Sequence, residues 1–427
     1  MDINVPEIER LAGIECYCTK FLGLGGKIKT EYHDFIVKEI FDFSTIKISN
    51  QQDNVHKFPI YLLEKSGIDS NHAILEIKKK YGIGLKIMGI KDAKAITSQF
   101  TYSEQKKQIY PELLTKHTRL SLKGFSQKPI SKSNMLGNEF YIKINDTRSS
   151  EQRRLELAEI EEFKTELKKI GNFYGLQRFG SERLVTHLVG RELVKGRFEN
   201  AIKYLLTYTS KYDTSFSKEI REKFRDPKNY PSLIKKIPRG MDLERRIIQS
   251  ISEGKDYIHI IRTIPINVRR LFIHAYQAYI FNKTLSSILL NGENIFKCED
   301  EDLCFELKYP MSFGKIRKFN RLLDRNENQI IPAIRLVGFA FQPGKGRFDR
   351  IIKEILNDEE VEPKDFFLKE FQELSDQGGF RQAPLCCIDF DYNKQTKQFS
   401  FKLPKGSYAT TLLRELMKPK DPIYAGF

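Results

Sequence analysis

The 427 residues are enough for two domains of ordinary size, and a composition of 40% hydrophobic and 30% charged residues excludes an intrinsically disordered chain. The formal net charge of +16, from 72 Lys and Arg against 56 Asp and Glu, favours a polyanionic partner such as nucleic acid, although many basic proteins bind none. No apolar run approaches the roughly 18 residues that span a bilayer, so we expect no membrane association.

The residue types that bind metals form no recognisable site. The six cysteines make no CxxC pair, and the seven histidines make no HExxH or His-x-His pattern, so the sequence predicts no metal and no cofactor. The first residues, MDIN, lack the basic and apolar segments of an export signal, which predicts a cytoplasmic protein. Nothing in the sequence indicates an obligate protein partner.

Three short segments alternate between apolar and polar residues, as β-strands do. Residues 34–41 (DFIVKEIF) alternate between two faces and are rich in β-branched side chains. Residues 140–144 (FYIKI) and 399–403 (FSFKL) have a similar pattern, and Pro404 ends the last one. The sequence therefore predicts strands towards both ends of the chain.

Between these strands, apolar residues recur at spacings of three and four. The spacing predicts a helix over residues 157–170, with Gly171 as its C-cap. It predicts a second helix over residues 271–288, which carries apolar residues on opposite sides and should be largely buried.

The distribution of these elements predicts how the chain divides into domains. Strand patterns dominate both ends, while the middle is mainly helical in pattern. We expect an α+β domain made of residues 1–180 together with residues 380–427, closed by its C-terminal strands around an inserted, mainly helical module of residues 181–379.

Residues 89–99 (GIKDAKAITSQ) place one carboxylate, Asp92, between glycine and small polar residues after a short β-branched run. An aspartate in such a place commonly caps a turn or a helix. The alternative is a carboxylate held at the end of a strand, where it is free to act as a nucleophile or a base. The segment by itself leaves both interpretations open, and the cap is the commoner one.

Two glycine-rich segments are further candidates for ligand contact. In residues 136–140 (LGNEF), the glycine permits close backbone approach and Phe140 can stack on a base, or the segment is a hairpin turn with Phe140 in the core. Residues 171–180 (GNFYGLQRFG) combine aromatic, amide and arginine side chains that suit RNA, or they form a structural loop around buried aromatic rings.

Taken together, these segments resemble the tRNA pseudouridine synthase D family along nearly the whole chain. Residues 89–99 match its motif G-x-K-D-x-x-A-x-T-x-Q at every fixed place. Asn138 and Phe140 match the residues that line the uridine pocket of the family, and Lys29, ahead of Asp34, falls where the family has an active-site lysine. Similar blocks are found at residues 34–39, 172–180, 274–282 and 403–415.

The resemblance implies a fold and an activity. The fold is a mixed, mainly antiparallel sheet flanked by helices, into which the helical module is inserted. The activity is the isomerisation of a uridine in tRNA, typically at position 13, to pseudouridine. The resemblance implies that Asp92 is the catalytic carboxylate and that Lys29, Asn138 and Phe140 bind the substrate.

This reaction requires an ionised carboxylate. Cleavage of the N1–C1′ bond builds positive charge on the ribose, whether Asp92 then bonds to C1′ or removes the 2′ proton. A nearby cation lowers the pKa of a carboxylate, which makes Lys29 the expected partner. Lys91 is expected to have a lesser part, because consecutive side chains of a strand point to opposite faces.

The basic residues are expected to hold the tRNA backbone. Candidates are Arg178 in the glycine-rich segment and Arg269 and Arg270 in the inserted module, with Arg245-Arg246 and residues 315–325 as further basic stretches. The alternative for any one of these is that it belongs to an ordinary solvent-exposed surface and does not contact RNA.

Two other classes of protein compete with this interpretation. A non-catalytic RNA-binding protein could keep the fold but has no need of Asp92, and a basic scaffold acting on proteins would require the motif matches to be accidental.

Overall fold

The structure is a computed structural model that describes residues 4–53, 55–104, 109–145, 157–238, 240–308, 311–321 and 330–427. Its strands are β1 Phe35–Phe41, β2 Ile48–Ser49, β3 Phe58–Ser66, β4 Leu85–Ile87, β5 Ile96–Ser103, β6 Glu112–Leu114, β7 Thr118–Ser126, β8 Met135–Lys143, β9 Leu303–Lys308, β10 Ser312–Lys318, β11 Ile330–Leu336, β12 Gly379–Gln382, β13 Ile388–Asn393 and β14 Gln398–Pro404. Its α-helices are α1 Glu7–Leu11, α2 Ser70–Tyr81, α3 Leu157–Glu166, α4 Thr186–Val194, α5 Phe198–Thr207, α6 Ser215–Lys223, α7 Tyr230–Leu233, α8 Asp242–Ser252, α9 Tyr257–Arg262, α10 Ile266–Leu290, α11 Arg347–Asp358 and α12 Ala409–Met417.

Ten of the described strands form one large sheet. Its order is β13-β14-β8-β1-β5-β3-β7-β2, with β4 beside β5 and β6 beside β7. The pair β1–β5 is parallel, and the other pairs are antiparallel. The three predicted strands are confirmed as β1, β8 and β14, which are neighbours in the sheet. Their alternating apolar side chains pack with those of α12 in one core, which accounts for the alternation.

A smaller antiparallel sheet of the described residues has the order β10-β9-β11-β12. The sequence pattern does not predict it, because most side chains of β9 and β10 are half-exposed or exposed and follow no period of two. Since β12 pairs with β11, this strand crosses the predicted boundary between residues 379 and 380. The division into domains stays a prediction.

The predicted helix over residues 157–170 is confirmed in part. The α-helix α3 ends at Glu166, and a 3₁₀ turn, Leu167–Lys169, follows it. The prediction that Gly171 is the C-cap is wrong, because Ile170 has already returned to extended backbone. Gly171 instead forms a bridge with Pro384, and a Cβ atom on it would lie 2.9 Å from Leu285 of α10. The glycine is therefore needed for close packing rather than for a helix end.

The second predicted helix is confirmed as α10, and it is largely buried. Buried side chains such as Phe272, Tyr276 and Phe281 belong to a core that α10 shares with α4, α5 and α11. A Cβ atom on Gly190 of α4 would lie 2.0 Å from the Phe272 carbonyl oxygen, so only glycine permits this approach of the two helices. Among the helices that the structure describes, none is long and apolar enough to cross a membrane.

Candidate active site

A cavity of about 200 Å³ opens where the loop between β4 and β5 meets parts of four other segments. These segments are residues 29–37 with the start of β1, the middle of β8, the 3₁₀ turn Leu176–Phe179 and the N-terminal end of α12. The side chains that line the cavity are Lys29, Phe35, Val37, Ile90, Lys91, Asp92, Ala95, Thr97, Asn138, Phe140, Gln177, Ser407, Tyr408, Ala409 and Thr410. The structure thus brings the four residues predicted as catalytic or substrate-binding to one place.

Asp92 lies in the loop between β4 and β5, not at the end of a strand as we expected. Its side chain is 50% exposed. The carboxylate oxygen Oδ2 accepts hydrogen bonds from the Lys29 ammonium at 3.1 Å and from the Gln177 amide at 3.3 Å. A capping aspartate would accept backbone N–H groups, whereas these two partners are side chains from distant parts of the chain. The capping interpretation therefore does not describe the contacts of Asp92.

The charges around Asp92 favour its ionised form. Burial by itself raises the pKa of the carboxyl, but the Lys29 charge, the two hydrogen bonds and the more distant Lys65 together hold the pKa below its usual value. Lys65 of β3 also donates to the backbone carbonyl of Asp92 at 2.7 Å, which ties the loop to the sheet. Burial lowers the pKa of Lys65 to about 8, and the negative charge of Asp92 counteracts this effect.

The backbone at Lys29 has an unusual conformation. Its φ is 58°, in the left-handed region, which costs a residue other than glycine roughly 1–2 kcal/mol. Neighbouring hydrogen bonds hold the segment there: the Ile28 N–H donates to the Ala425 carbonyl at 2.9 Å, and Lys27 exchanges two backbone bonds with Asn145. The Lys29 side chain is 8% exposed, and its ammonium lies 4.8 Å from the centre of the Phe35 ring. A strained backbone held in this way is typical of functional sites.

Asn138 and Phe140 both lie on β8. Phe140 contributes to the cavity wall, yet its ring is mostly buried and stacks on Phe401 with the ring centres 5.3 Å apart. Its two interpretations, as part of the core and as part of a pocket, therefore apply to the same side chain. The side-chain amide oxygen of Asn138, Oδ1, accepts a hydrogen bond from Lys91 at 2.5 Å.

The lesser role expected for Lys91 rested on a wrong premise. Residues 91 and 92 lie in a loop, so the alternation of a strand does not apply to them. Lys91 lines the same cavity as Asp92, and its ammonium lies 3.5 Å from the carboxylate of Glu39 on β1. Lys91 therefore belongs to the wall of the cavity, and Glu39 is its charged neighbour.

Other residues of the site were missed by sequence reasoning. Gln177 belongs to the glycine-rich segment 171–180, and its place in that motif was the available signal. Lys65 carries no signal of its own, because it sits at a buried position of the β3 strand and its partner lies 27 residues away. Tyr408 and its neighbours lie in the block 403–415 that resembles the family, which was the available signal, but their contact with the cavity depends on how α12 packs.

The three arginines expected to contact RNA have different surroundings. Arg178 is half-buried beside the cavity, where it donates to the Tyr408 hydroxyl at 3.1 Å. Arg269 is 8% exposed and binds the Glu373 carboxylate at 2.5 Å. Arg270 is exposed and donates to the Glu373 carbonyl oxygen at 3.2 Å. Neither Arg269 nor Arg270 lines the cavity, and residues 322–325 of the basic stretch lie outside the described residues.

Two larger grooves lie among the helices, with volumes of about 580 and 600 Å³. The first is lined by basic side chains, of which Arg191 pairs with Glu192 at 3.1 Å and Arg197 with Glu360 at 4.0 Å. None of the residues predicted as catalytic or substrate-binding lines either groove. The smaller cavity at Asp92 is therefore the candidate active site.

Known proteins resemble this chain over nearly its whole length. A family model described as tRNA pseudouridine synthase D (TruD) matches residues 11–416. Two curated relatives bear the name "Probable tRNA pseudouridine synthase D": that of Methanosarcina acetivorans is 31% identical over 99% of each chain, and that of Archaeoglobus fulgidus is 30% identical over 96% of this chain and 99% of its own. A crystal structure of a protein named tRNA pseudouridine synthase D (TruD), from Methanosarcina mazei, has a TM-score of 0.79 at 28% identity and covers 98% of this chain and 99% of its own.

Proposed function

The chain belongs to the tRNA pseudouridine synthase D family, an isomerase family, and we propose that it converts the uridine at position 13 of tRNA to pseudouridine with Asp92 as the catalytic carboxylate. One observation carries the assignment of Asp92. Its carboxylate is half-exposed at the wall of the cavity, while Lys29 and Gln177 both donate to the same oxygen, Oδ2. Among the contacts of the described residues, Oδ1 is left for the substrate.

The chemistry uses the ionised carboxylate. When the N1–C1′ bond breaks, its electron pair stays on the uracil and positive charge develops on the ribose. Asp92 neutralises that charge either by bonding to C1′ or by removing the 2′ proton. The lowered pKa of Asp92 supports both routes, because each begins from the carboxylate. The uracil then turns and C5 bonds to C1′. In the first route this bond displaces the Asp92 carboxylate from C1′, and in the second Asp92 returns the proton to C2′. Finally the proton of C5 is lost while N1 gains one.

The walls of the cavity suit a uracil taken out of its stack. Extruding a base costs a few kcal/mol, and contact with the apolar faces of Phe35 and Phe140 returns part of this. Asn138 offers an amide to the edge of the base. The detached uracil has to stay in the cavity until it is rejoined, and contact with these aromatic walls helps to hold it there.

We propose that the body of the tRNA is held by basic residues outside the cavity. Arg178 lies beside the cavity and is the candidate for contacts next to the target nucleotide, while the exposed Arg270 is the candidate on α10. Arg269 is buried against Glu373, and we expect it to stabilise the fold instead. With tRNA as the substrate, we expect the enzyme to act in the cytoplasm.

We also propose that residues 1–180 with residues 380–427 form the catalytic domain and that residues 181–379 form the inserted module. The large sheet and the cavity side chains fall in the first set, since the lining residues lie between 29 and 177 and between 407 and 410. α4 to α11 fall in the second set.

The proposal is tested with a tRNA transcript that carries tritium at C5 of its uridines. Replacement of the C5–H bond by C5–C1′ releases the tritium to water. We expect release of one equivalent per tRNA, and none from a transcript with cytidine at position 13. A protein that binds this tRNA and releases no tritium would be the non-catalytic RNA-binding protein considered above, and equal release from both transcripts would refute position 13.

A further inference from the structure

Three side chains form a chain of contacts that ends at the wall of the cavity. Glu39 on β1 and Asn138 on β8 are direct partners across the two antiparallel strands. The ammonium of Lys91 lies between them, 2.5 Å from the side-chain amide oxygen of Asn138 and 3.5 Å from the Glu39 carboxylate. The other oxygen of Glu39 accepts the backbone N–H of Phe100 at 2.9 Å, so the carboxylate is itself held in place.

The position of Lys91 is fixed by buried neighbours. Its backbone N–H donates to the Ser70 hydroxyl at 2.9 Å, and that hydroxyl donates to the side-chain amide oxygen of Gln99 at 2.8 Å. The side-chain amide of Gln99 in turn donates to the backbone carbonyl of Gly89 at 3.1 Å, which ties the start of the loop to β5. Burial lowers the pKa of Lys91 and raises the pKa of Glu39, and the attraction between the two charges counteracts both shifts and favours the charged ammonium.

This arrangement determines which end of the Asn138 amide faces the cavity. A lysine ammonium has hydrogens to donate and no lone pair to accept with, so the amide oxygen must face Lys91. The NH₂ group of Asn138 is then the end left for a ligand in the cavity that Asn138 lines. Towards the substrate, Asn138 is a donor only.

A donor of this kind suits a uracil that has to turn over. A half-turn about the axis through N3 and C6 exchanges N1 with C5, which the isomerisation requires, and it also exchanges the two carbonyl oxygens O2 and O4. Both are acceptors, so one fixed N–H donor is satisfied before and after the turn. Cytosine would present its amino group in one of the two orientations and leave two donors facing each other.

We propose that Lys91, backed by Glu39, is a positioning residue that fixes Asn138 as a donor to whichever uracil carbonyl faces it, so that the same contact holds the base in both orientations. This inference rests on the proposed function and adds to it the reason why the site accepts uracil and rejects cytosine.

The test uses tRNA transcripts with uridine, 2-thiouridine or 4-thiouridine at the target position, in single-turnover reactions. Sulfur is a weaker acceptor than oxygen, and each carbonyl meets Asn138 in one orientation. We therefore expect each thio substitution to slow the wild-type enzyme roughly 5-fold to 10-fold. Asn138→Ala has no amide, and its ratios measure the penalty that comes from the size of sulfur alone.

Variants of Lys91 separate positioning from mere support of the fold. In Lys91→Met nothing holds the amide oxygen, so the NH₂ group faces the base for only part of the time and both thio penalties should fall towards those of Asn138→Ala. Lys91→Arg is again a pure donor and should keep the wild-type penalties. Lys94→Met, at an exposed position of the same loop, is the matched control and should leave all ratios unchanged. If Lys91→Met lowers the three rates equally and keeps the wild-type ratios, the inference is wrong.

Two further readouts keep the outcomes distinct. If Lys91→Met is too slow to measure, the ratio of dissociation constants for thiouridine and uridine transcripts replaces the ratio of rates, and unchanged ratios overturn the inference in the same way. If the wild-type enzyme forms no pseudouridine from uridine transcripts, the proposed function fails. If it does so but neither thio substitution is penalised, the positioning role of Lys91 fails alone.

Discussion

Two clusters of carboxylates and cations in this protein differ in exposure. The exposed cluster, at Asp92, is suited to chemistry, and the buried cluster, at Arg414, is suited to stabilising the fold. At Asp92 the carboxylate is half-exposed and its pKa lies below the usual value, because Lys29 and Gln177 outweigh the effect of burial. At Arg414 the carboxylates of Glu9 and Glu415 are almost completely buried, and burial raises the pKa of Glu9 even though Arg414 counteracts it.

The partners of the two clusters differ as well. Arg414 binds Glu9 at 2.9 Å, Glu415 at 2.5 Å and the Cys16 carbonyl at 2.9 Å, so its guanidinium is satisfied by the protein. Asp92 has side-chain partners on Oδ2, and within the part of the chain that the structure describes its Oδ1 accepts no hydrogen bond. The clusters are nevertheless connected, because Arg414 lies on α12, whose N-terminal end lines the cavity. The buried cluster fixes the helix, and the exposed one is available to a ligand.

The largest effect on stability is expected from Arg414→Met. This change removes the cation from two buried carboxylates, of which Glu415 keeps hydrogen bonds from Cys18 and Thr19, and it should lower the free energy of unfolding by about 3–5 kcal/mol. Urea unfolding measures this, with Arg350→Met at an exposed position as the control. A loss below about 1 kcal/mol would show that the buried cluster does not fix α12.

Lys29→Met should act on activity, not mainly on stability. Without the lysine, the pKa of Asp92 rises, so a higher pH is needed to ionise the carboxylate. The acid limb of the pH–rate profile should move to higher pH, and the rate at neutral pH should fall roughly 100-fold. Lys20→Met, at an exposed position on the same segment, should leave both unchanged. An unmoved acid limb would show that Lys29 does not govern the ionisation of Asp92.

Gln177→Leu should have a smaller effect in the same direction. It removes one neutral donor from Oδ2, so we expect a loss of roughly 2-fold to 10-fold in rate and a smaller upward displacement of the acid limb. The same pH–rate measurement applies. A displacement larger than that of Lys29→Met would reverse the order of the two partners.

The smallest effect is expected from Arg270→Ala. One lost phosphate contact should reduce the slope of log affinity against log salt by about 0.7–0.9, with little change in stability. Arg269→Ala, its buried neighbour, should instead lower the free energy of unfolding because Glu373 loses its partner. An unchanged salt slope for Arg270→Ala would remove this residue from the phosphate contacts.

Local sequence predicted those parts of the molecule that have regular apolar patterns. The strands β1, β8 and β14 alternate because one face of each packs on a core, and the helix α10 is apolar on opposite sides because it is largely buried. The smaller sheet has no such pattern. The motif around Asp92 identified the candidate carboxylate, but Gln177 and Lys65 reach it from distant elements. The role of Lys91 was missed because a strand was assumed where the chain forms a loop.

The most direct test of the central claim, that the half-exposed Asp92 carboxylate performs the chemistry, is tritium release by Asp92→Asn in a single-turnover reaction. The substitution keeps the size of the side chain and removes its charge. We predict a rate lower by roughly 1000-fold or more, with tRNA affinity and the midpoint of urea unfolding unchanged. Release at the wild-type rate would contradict the claim.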